Sequence, residues 1–171
     1  MSEKVSAAET PGVHEIDPAI YRQVLGHFPT GVTVITAFVA NTPVGFAVGS
    51  FSSISLDPPL VGFFAGKDSS SWSRIREAGV FCVNILGDDQ EVISRKFASK
   101  EADKFEGIGW KAASNGAPRI DGTVATIDCT IESILEIGDH DLCVGRVTEL
   151  SIGNEGSPLV FFRGGYRSLK Q

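Results

Sequence analysis

The sequence has no excess of basic residues, no long apolar run and no signal-peptide pattern at its start. Fifteen Lys and Arg residues are outnumbered by 21 Asp and Glu, and the formal net charge is −6. An acidic chain without a basic stripe is not typical of nucleic-acid-binding proteins. No apolar segment is long enough to span a bilayer, and the polar N-terminus lacks an apolar h-region. We therefore expect a cytoplasmic protein that binds neither nucleic acid nor membrane.

Cysteine and histidine are scarce, with three of each. Cys82, Cys129 and Cys143 lie at irregular spacing within apolar runs, which predicts buried free thiols and no disulfide framework. No cluster of histidine, cysteine and carboxylate has metal-ligand spacing, so we expect no metal site. The motifs of serine hydrolases, P-loops and Rossmann folds are also absent. If the chain binds a dinucleotide, its site is therefore not of the Rossmann type.

Short apolar runs rich in Val, Ile and Thr make up most of the chain. With 171 residues, 42% of them hydrophobic, the chain can bury the core of one domain. We assign residues 1–16 to a disordered segment and 17–171 to that domain. At least six strands, with two or three short helices and no regular strand–helix alternation, favour an antiparallel barrel over a doubly wound sheet.

Three short helices are predicted from their start and stop signals. Asp17 and Pro18 form an N-cap followed by proline at N1, the serines at 69–71 precede a helix that ends at Gly79, and Asp88 or Asp89 can cap the third. The predicted strands cover residues 31–39, 44–55, 60–65, 80–86, 124–137, 141–152 and 158–162.

Glycines and serines interrupt the predicted strand over residues 44–55. Gly45 and Gly49 lie inside it, followed by four serines. Glycine inside a strand often marks a place where a ligand or another backbone comes close, and small residues let a flat ring lie against main-chain groups. A barrel corner or bulge with solvent-facing serines is the alternative interpretation.

Two further segments could meet a phosphate. Hydroxyl and free N–H groups at the helix start at 69–71 can bind an anion, although simple capping needs only one serine. Downstream, Lys96 could meet the same phosphate while Phe97 packs on a ring. A solvated helix face is the alternative for this pair.

A predicted turn at Gly138-Asp139-His140 joins two strands and puts a histidine at the rim of a sheet. Histidine is the side chain best suited to act near neutral pH. Near the C-terminus, residues 161–166 read FFRGGY, a combination that suits stacking or phosphate contact but equally a structural strand end.

Taken together, these motifs resemble the short-chain flavin reductase family, the reductase components of two-component flavin-dependent monooxygenases. The resemblance runs from about Tyr21 to Tyr166, and SLDPPLV and GDH are its most telling pieces. The matching segments are FPTGVTVIT (28–36), GFAVGSFSSISLDPPLV (45–61), SSSWSRI (69–75), FCVNIL (81–86), SRKFASKEADKF (94–105), GDH (138–140) and FFRGGY (161–166).

The resemblance implies a mainly β fold with a few short helices, a six-stranded antiparallel split β-barrel of the FMN-binding type. It also implies a homodimer with its sites near the subunit interface. The implied activity is reduction of FMN or FAD by NADH or NADPH, with reduced flavin passing to a partner monooxygenase.

For the flavin ring and ribityl chain, the resemblance implies contacts along the glycine-rich strand and beyond it. Family members often carry Ser or Thr where this chain has Ala47 and Gly49, so contact here would depend on backbone groups and Ser50. The implied residues are Gly45, Phe46, Ala47, Val48, Gly49, Ser50, Ser53 and Ala65.

The resemblance assigns the flavin phosphate to the second and third helices. Ser70, Ser71 and Lys96 would hold the phosphate, with Phe97 nearby.

The resemblance assigns the nicotinamide dinucleotide to two turns. His140, with Asp139, would lie by the nicotinamide, while Arg163 and Tyr166 would help to hold the dinucleotide. The implied reaction is direct hydride transfer from nicotinamide C4 to flavin N5, for which rings at about 3–3.5 Å are the main requirement. His140, the predicted catalytic residue, would therefore position or polarise rather than donate a proton.

Three other functions are weighed against the reductase. A non-catalytic flavin-binding or electron-carrier barrel would not need a histidine facing the nicotinamide. An oxidase of the pyridoxamine-phosphate type would need a basic cluster for its substrate's phosphate, which the sequence does not offer. A barrel without a ligand would leave the combined motifs unexplained.

Overall fold

The computed structural model describes residues 16–169, which fold into twelve β-strands and three short helices. The segment 1–16, predicted to be disordered, lies outside the described residues except for Ile16. None of the helices in this part of the chain is long and apolar enough to cross a membrane. The helices are α1 (Pro18–Leu25), α2 (Ser70–Ala78) and α3 (Glu91–Ala98).

Two of the three predicted helix caps are confirmed. Asp17 caps α1 by accepting a hydrogen bond from the Ala19 amide at 2.7 Å, and Ser69 caps α2, which ends at Gly79 in the left-handed region. The prediction that Asp88 or Asp89 caps α3 is wrong. Gln90 occupies that position without a side-chain cap, because its amide instead joins Gly87 N to Asp121 O.

All strand pairings are antiparallel and they form three sheets. The largest has seven strands in the order β3-β2-β6-β9-β10-β5-β4, and the others are β1-β11-β12 and β7-β8. The strands are β1 (Thr30–Gly31), β2 (Thr33–Val39), β3 (Thr42–Val48), β4 (Ser52–Ser55), β5 (Leu60–Gly66), β6 (Val80–Ile85), β7 (Trp110–Ala112), β8 (Pro118–Ile120), β9 (Ala125–Ile137), β10 (His140–Ile152), β11 (Val160–Phe162) and β12 (Gly165–Arg167).

The expected mainly β fold with a few short helices is confirmed, but the expected six-stranded barrel is wrong. The main sheet has seven strands, and within the described residues it is not closed by strand pairing. The predicted strand over 44–55 divides into β3 and β4 around Gly49, which adds one strand to this sheet. Short strands elsewhere pair with one another rather than joining the main sheet.

The seven-stranded sheet is nevertheless strongly curled. Its two edge strands, β3 and β4, are joined by only three residues, 49–51, so Val48 and Ser52 lie at most about 14 Å apart. Between them, the Ser50 hydroxyl accepts a hydrogen bond from Phe64 N at 3.0 Å and donates to Phe64 O at 3.2 Å. This side chain links the β3 end of the sheet to β5.

Aromatic side chains fill the inside of the curl. Phe63 packs edge-on against Phe46, Trp72 and Phe81, with ring centroids 5.4–6.0 Å apart. The predicted buried free thiols are confirmed, since all three cysteines are buried and unbridged. Burial raises the pKa of Cys129 and of Cys143 to about 12, so these thiols are unreactive core residues.

A buried polar network attaches the small β7-β8 sheet to the main sheet. Asn84 on β6 accepts a hydrogen bond from Ile120 N at 2.7 Å and donates to Val34 O at 3.1 Å. Nearby, Arg119 on β8 forms an ion pair with the fully buried Asp128 on β9 at 2.6 Å. Removing one partner of such a pair leaves a buried charge unpaired. The Arg119–Asp128 pair therefore holds the β7-β8 sheet, and the segment after α3 that leads into it, on the main sheet.

Candidate functional site

A cleft of about 620 Å³ runs along β3, between the start of α2 on one side and the end of α3 on the other. Its walls bring together six of the residues predicted to bind a cofactor, from three separate stretches of sequence. These residues are Gly45, Phe46, Ala47, Ser70, Ser71 and Phe97. We call this cleft the groove.

The two faces of β3 explain why this strand is rich in small residues. Phe46 and Val48 point into the curled sheet and pack in its core, whereas Ala47 packs on the other side with the cluster around α3. Because side chains alternate along a strand, Gly45 and Gly49 share the face of Ala47. Since β3 is an edge strand of its sheet, one side of its backbone is available to a ligand in the groove.

Gly45 also has a packing reason to be glycine. A Cβ at this position would lie 2.7 Å from Phe97 Cε1 and 3.0 Å from Ile35 O. Phe97 is fully buried and packs edge-on against Phe105, with centroids 4.9 Å apart. Phe97 therefore supports the groove from behind, and its ring is a core residue rather than an exposed stacking surface.

Cations and a helix N-terminus line the same part of the groove. Ser69 performs the capping of α2 alone, accepting from Trp72 N at 3.3 Å, which leaves Ser70 and Ser71 on the groove wall. Three basic side chains that the sequence analysis did not single out also line it, namely Arg74, Lys100 and Lys104, together with the acidic Asp68 and Glu101. This end of the groove can therefore receive an anion.

Lys96, the predicted phosphate ligand, does not line the groove. Its ammonium donates a hydrogen bond to the backbone carbonyl of Glu106, which draws the side chain toward the segment after α3. Lys104 does reach the groove wall, and its ammonium donates to Phe97 O at 3.0 Å. Burial lowers the pKa of Lys104, so this charge is partly desolvated and interacts strongly with a nearby anion.

A smaller cavity of about 120 Å³ continues the groove beyond Ala47 and Ala98, which line both. Its walls include the predicted residues Val48, Gly49 and Tyr166. The Tyr166 hydroxyl is 2.8 Å from Ser94 Oγ, and the Arg95 guanidinium lies over the Tyr166 ring at 4.8 Å. Tyr166 is thus held in place at the far end of the groove from Ser70.

His140 lies at the rim, just outside the groove. The Gly138-Asp139 turn joins β9 to β10, as predicted, and His140 pairs across the sheet with Gly66. A methyl group on Gly66 would lie 3.9 Å from His140 Nε2 and 3.0 Å from Oδ1 of Asp68, which lines the groove. The imidazole is therefore next to the chain segment that leads into Ser70.

Asp139 orients the His140 ring. His140 Nδ1 is 2.7 Å from Asp139 Oδ1, and this hydrogen bond lowers the pKa of Asp139. An ionised carboxylate only accepts hydrogen bonds, so Nδ1 carries the proton of this pair. Nε2 is then the nitrogen that faces Gly66 and remains available to a ligand.

Asp141, which sequence reasoning missed, fixes this hairpin to α2. Its buried carboxylate accepts a hydrogen bond from Trp72 Nε1 at 2.8 Å and lies 3.5 Å from Arg76. The sequence signal for this role is an acidic residue directly after His140, followed by the apolar residues 142–144 of the same strand. Asp141 therefore ties the strand that carries His140 to the helix whose first turn carries Ser70 and Ser71.

Three predicted flavin-contact residues lie outside the groove and its extension. The Ser50 hydroxyl is occupied by both backbone groups of Phe64. Ser53 is exposed on β4, at the other edge of the sheet, and Ala65 is in the core. The serine-rich stretch after Gly49 thus forms the corner between β3 and β4, with a bulge between Ser53 and Ser55. This position agrees with the alternative interpretation of the stretch as a corner or bulge with solvent-facing serines.

Arg163 is separated from Tyr166 despite being three residues away in sequence. It occupies the tight turn between β11 and β12 and lines a different cavity, of about 560 Å³, with Arg22, Gln23, Gly26, His27 and Gly164. We call this the basic cavity. Tyr166 lines the extension of the groove instead, so the FFRGGY segment serves two places.

No group of three or more His, Cys, Asp and Glu side chains in residues 16–169 is arranged to hold a metal ion. The groove, its extension and the His140 rim combine small residues, hydroxyls and cations in the way an aromatic ring with a phosphate requires.

Comparison with known proteins identifies the family. The model described as "Flavin reductase like domain" matches residues 25–170. A flavin reductase of Pseudomonas putida is 49% identical over 152 residues, covering 88% of this chain and 89% of that protein. The reductase subunit HsaB of a flavin-dependent monooxygenase from Rhodococcus jostii (strain RHA1) is 46% identical over 155 residues, covering 91% and 80%.

A solved structure agrees in fold. The NADH:FAD oxidoreductase SgcE6 of Streptomyces globisporus C-1027, in complex with NAD and FAD fragments, superposes with a TM-score of 0.86 at 36% identity, covering 90% of this chain and 93% of that one. This chain belongs to the flavin reductase family.

Proposed function

We propose that this protein reduces FMN or FAD with NADH or NADPH and supplies the reduced flavin to a separate monooxygenase. The observation that carries the proposal is the groove, in which the open edge of a strand rich in small residues meets three cations and a helix N-terminus. The similar proteins named as a flavin reductase and as a monooxygenase reductase subunit support the activity and the partner.

The residues of the groove fit a flavin. Gly45, Ala47 and Gly49 add no bulky side chain to β3. Since Phe97 covers the face at Gly45, a flat ring would approach the open backbone edge of the strand. Ser70 and Ser71 offer hydroxyl and N–H groups to a phosphate at the start of α2. A groove of about 620 Å³ is within the common range for ligand pockets, about 300–1,000 Å³.

Arg74, Lys100 and Lys104 complete the phosphate end in place of Lys96. Their charges exceed those of Asp68 and Glu101 by one, so the wall favours an anion. The chemistry that a bound flavin supplies is acceptance of the hydride that a reduced nicotinamide gives up. The protein's own contribution is to hold both rings in position and to exclude water from the space between them.

His140 acts as a positioning residue in this proposal. Its Nδ1 is held by Asp139, and its Nε2 faces Gly66 at the groove's rim. With the single proton of a neutral imidazole on Nδ1, Nε2 can accept one hydrogen bond from the N–H of a carboxamide such as that of nicotinamide. Hydride transfer needs no general acid, so we assign His140 no proton-transfer role in that step.

A homodimer is part of the proposal, and α1 supports it. The helix has eight residues, none of which is buried within the described structure. Its apolar stripe, Ile20, Tyr21, Val24 and Leu25, is more than half exposed, and isolated helices shorter than about 12–15 residues are marginal in water. A second copy that covers this stripe would stabilise the helix.

Sedimentation velocity tests the dimer with a matched pair. Val24→Glu puts a charge on the stripe and should shift the protein to monomer, whereas Gln23→Glu, on the opposite face of α1, should leave the dimer intact. A wild-type monomer at micromolar concentration, or equal effects of the two variants, would refute this part.

The activity is tested by following NADH absorbance with purified protein and FMN or FAD in turn, with NADPH in parallel. Flavin-dependent oxidation of NADH or NADPH is expected with at least one flavin. No flavin-dependent oxidation with either nucleotide contradicts the reductase. Tight flavin binding without any oxidation would instead support an electron carrier.

A further inference from the structure

The basic cavity carries a charge pattern that the flavin groove does not explain. Among residues 16–169, its walls contain Arg22, His27 and Arg163 and no acidic side chain, in a protein whose net charge is −6. Its volume of about 560 Å³ is within the common range for ligand sites, about 300–1,000 Å³.

The fold assembles this cavity from one helix face and one turn. Arg22, Gln23, Gly26 and His27 follow one another at positions i, i+1, i+4 and i+5, so they share the side of α1 opposite its apolar stripe. The Arg163 amide donates a hydrogen bond to Gly26 O at 2.9 Å. That bond fixes the β11–β12 turn against the end of α1.

The carbonyl groups at the end of α1 do not oppose an anion here, because each has a partner. Arg22, Val24 and Leu25 accept from backbone amides of the following turn, and Gly26 O accepts from Arg163 N. Gln23 O is 2.8 Å from His27 Nδ1, and a carbonyl only accepts, so Nδ1 donates and Nε2 is left free for a ligand.

Arginine pairing in the rest of the molecule distinguishes this site. Of the eight arginines, all within residues 16–169, four form ion pairs with carboxylates in that range. Three of the other four line cavities, Arg74 in the groove and Arg22 and Arg163 in the basic cavity. Two guanidinium groups that line one cavity, with no carboxylate partner in residues 16–169, are suited to phosphate.

Arg163 also occupies a backbone conformation that arginine disfavours. Its φ is +49° and that of Gly164 is +73°, the pattern of a turn that normally takes Asn-Gly or Gly-Gly. The guanidinium lies 5.1 Å from the Phe162 ring centroid, which limits its motion. A strained arginine held by its neighbours points to a use for its side chain.

We propose that the basic cavity is an anion site that binds phosphate or pyrophosphate through Arg22, Arg163 and His27 Nε2. The anion is either the phosphate of a nucleotide or a free inorganic ion, since the recognising chemistry is the same. The site lies outside the flavin groove, and its anion binding can be measured in the flavin-free protein without turnover.

Binding of inorganic pyrophosphate by calorimetry, with sodium chloride matching the ionic strength, tests the site in the flavin-free protein. Arg163→Gly keeps the turn, because glycine accepts φ of +49° without strain, and should weaken binding about tenfold or more, as should Arg22→Gln. Arg167→Gln, a nearby arginine that does not line the cavity, is the control and should bind like wild type.

Three results would overturn the site. The first is a wild-type protein that responds to pyrophosphate no more than to chloride. The second is equal affinity in Arg163→Gly and wild type. The third is equal weakening in Arg163→Gly and Arg167→Gln, which would indicate only diffuse surface charge.

Kinetics identify the source of the anion. If it belongs to the reductant, Arg163→Gly raises the KM for NADH or NADPH about tenfold, leaves the flavin Kd unchanged, and pyrophosphate competes with the nucleotide. If it is a separate ion, pyrophosphate binds while the KM stays the same. Both outcomes support the site, and neither requires that the proposed monooxygenase supply be correct.

Discussion

The groove and the basic cavity are similar in volume but opposite in construction. The groove mixes Arg74, Lys100 and Lys104 with Asp68 and Glu101, and its floor is a rigid strand face. In the part of the chain that the structure describes, the basic cavity has three basic side chains and no acidic one, and it is formed by a helix end and a turn. A balanced, shaped cleft selects a ligand by fit, whereas an unbalanced cavity attracts anions by charge. In our proposals, the groove recognises a flavin by fit and the basic cavity captures an anion by charge.

Arg74→Gln is expected to have the largest effect, because it should weaken ligand binding in the groove and leave the basic cavity unchanged. It removes a cation from the phosphate end of the groove, and charge-assisted hydrogen bonds contribute about 1.5–3 kcal/mol, so the flavin Kd should rise about 10- to 100-fold. Flavin fluorescence quenching gives this Kd, and pyrophosphate binding should be unchanged. An unchanged flavin Kd would remove Arg74 from the site.

The two glycines, Gly45 in the groove and Gly26 in the basic cavity, should respond differently to alanine. Gly45→Ala forces a Cβ against Phe97 and Ile35 O, which should lower the free energy of unfolding by about 1–3 kcal/mol. Gly26 has helical φ and ψ, and a Cβ there would lie 3.1 Å from Arg22 O, four residues earlier. Gly26→Ala should change stability by less than about 1 kcal/mol. Urea denaturation of both variants measures this, and equal losses would contradict it.

His140→Ala should affect nicotinamide use without affecting either anion-binding end. We expect kcat/KM for the nicotinamide nucleotide to fall about tenfold, a loss of one positioning hydrogen bond. The flavin Kd should stay the same and stability should change by about 0.5 kcal/mol or less, because the side chain is on the surface. Steady-state kinetics and calorimetry separate these effects. Unchanged nicotinamide KM and rate would exclude His140 from the site.

Lys96→Gln should have the smallest effect, a flavin Kd within about twofold of wild type, because exposed charges outside a site contribute little. Its ammonium is bound to the Glu106 carbonyl and does not line the groove. Lys100→Gln is the matched control, from the groove wall, and should weaken flavin binding more. If Lys96→Gln is the weaker binder, the phosphate end lies closer to Lys96 than we propose.

Local signals in the sequence predicted the parts of the fold that depend on neighbouring residues. Asp17 with Pro18, Gly79 at a helix end and the Gly138-Asp139 turn each encode a backbone choice within a few residues, and each is confirmed. The strand count was wrong because the break at Gly49 depends on the curl of the whole sheet, which a strand pattern does not contain.

The groove was predictable in part for the same reason. Gly45 and Ser70 stand out by composition, and both line it. Lys104 and Lys100 belong to a segment that looks merely polar, and only its packing through Phe105 on Phe97 brings it to the groove wall. Lys96 was favoured by residue type, yet a carbonyl ten residues later determines where its ammonium points.

The hydrogen bond between Ser50 and Phe64 offers a way to measure local opening of the curled sheet. The Phe64 amide donates to the Ser50 hydroxyl at the corner where the chain passes from β3 to β4, so its exchange with deuterated solvent measures how often that corner opens. A ligand that settles along β3 would slow this exchange without touching Phe64, and one confined to the β11–β12 turn would not. One NMR cross-peak could therefore tell which of the two cavities is occupied.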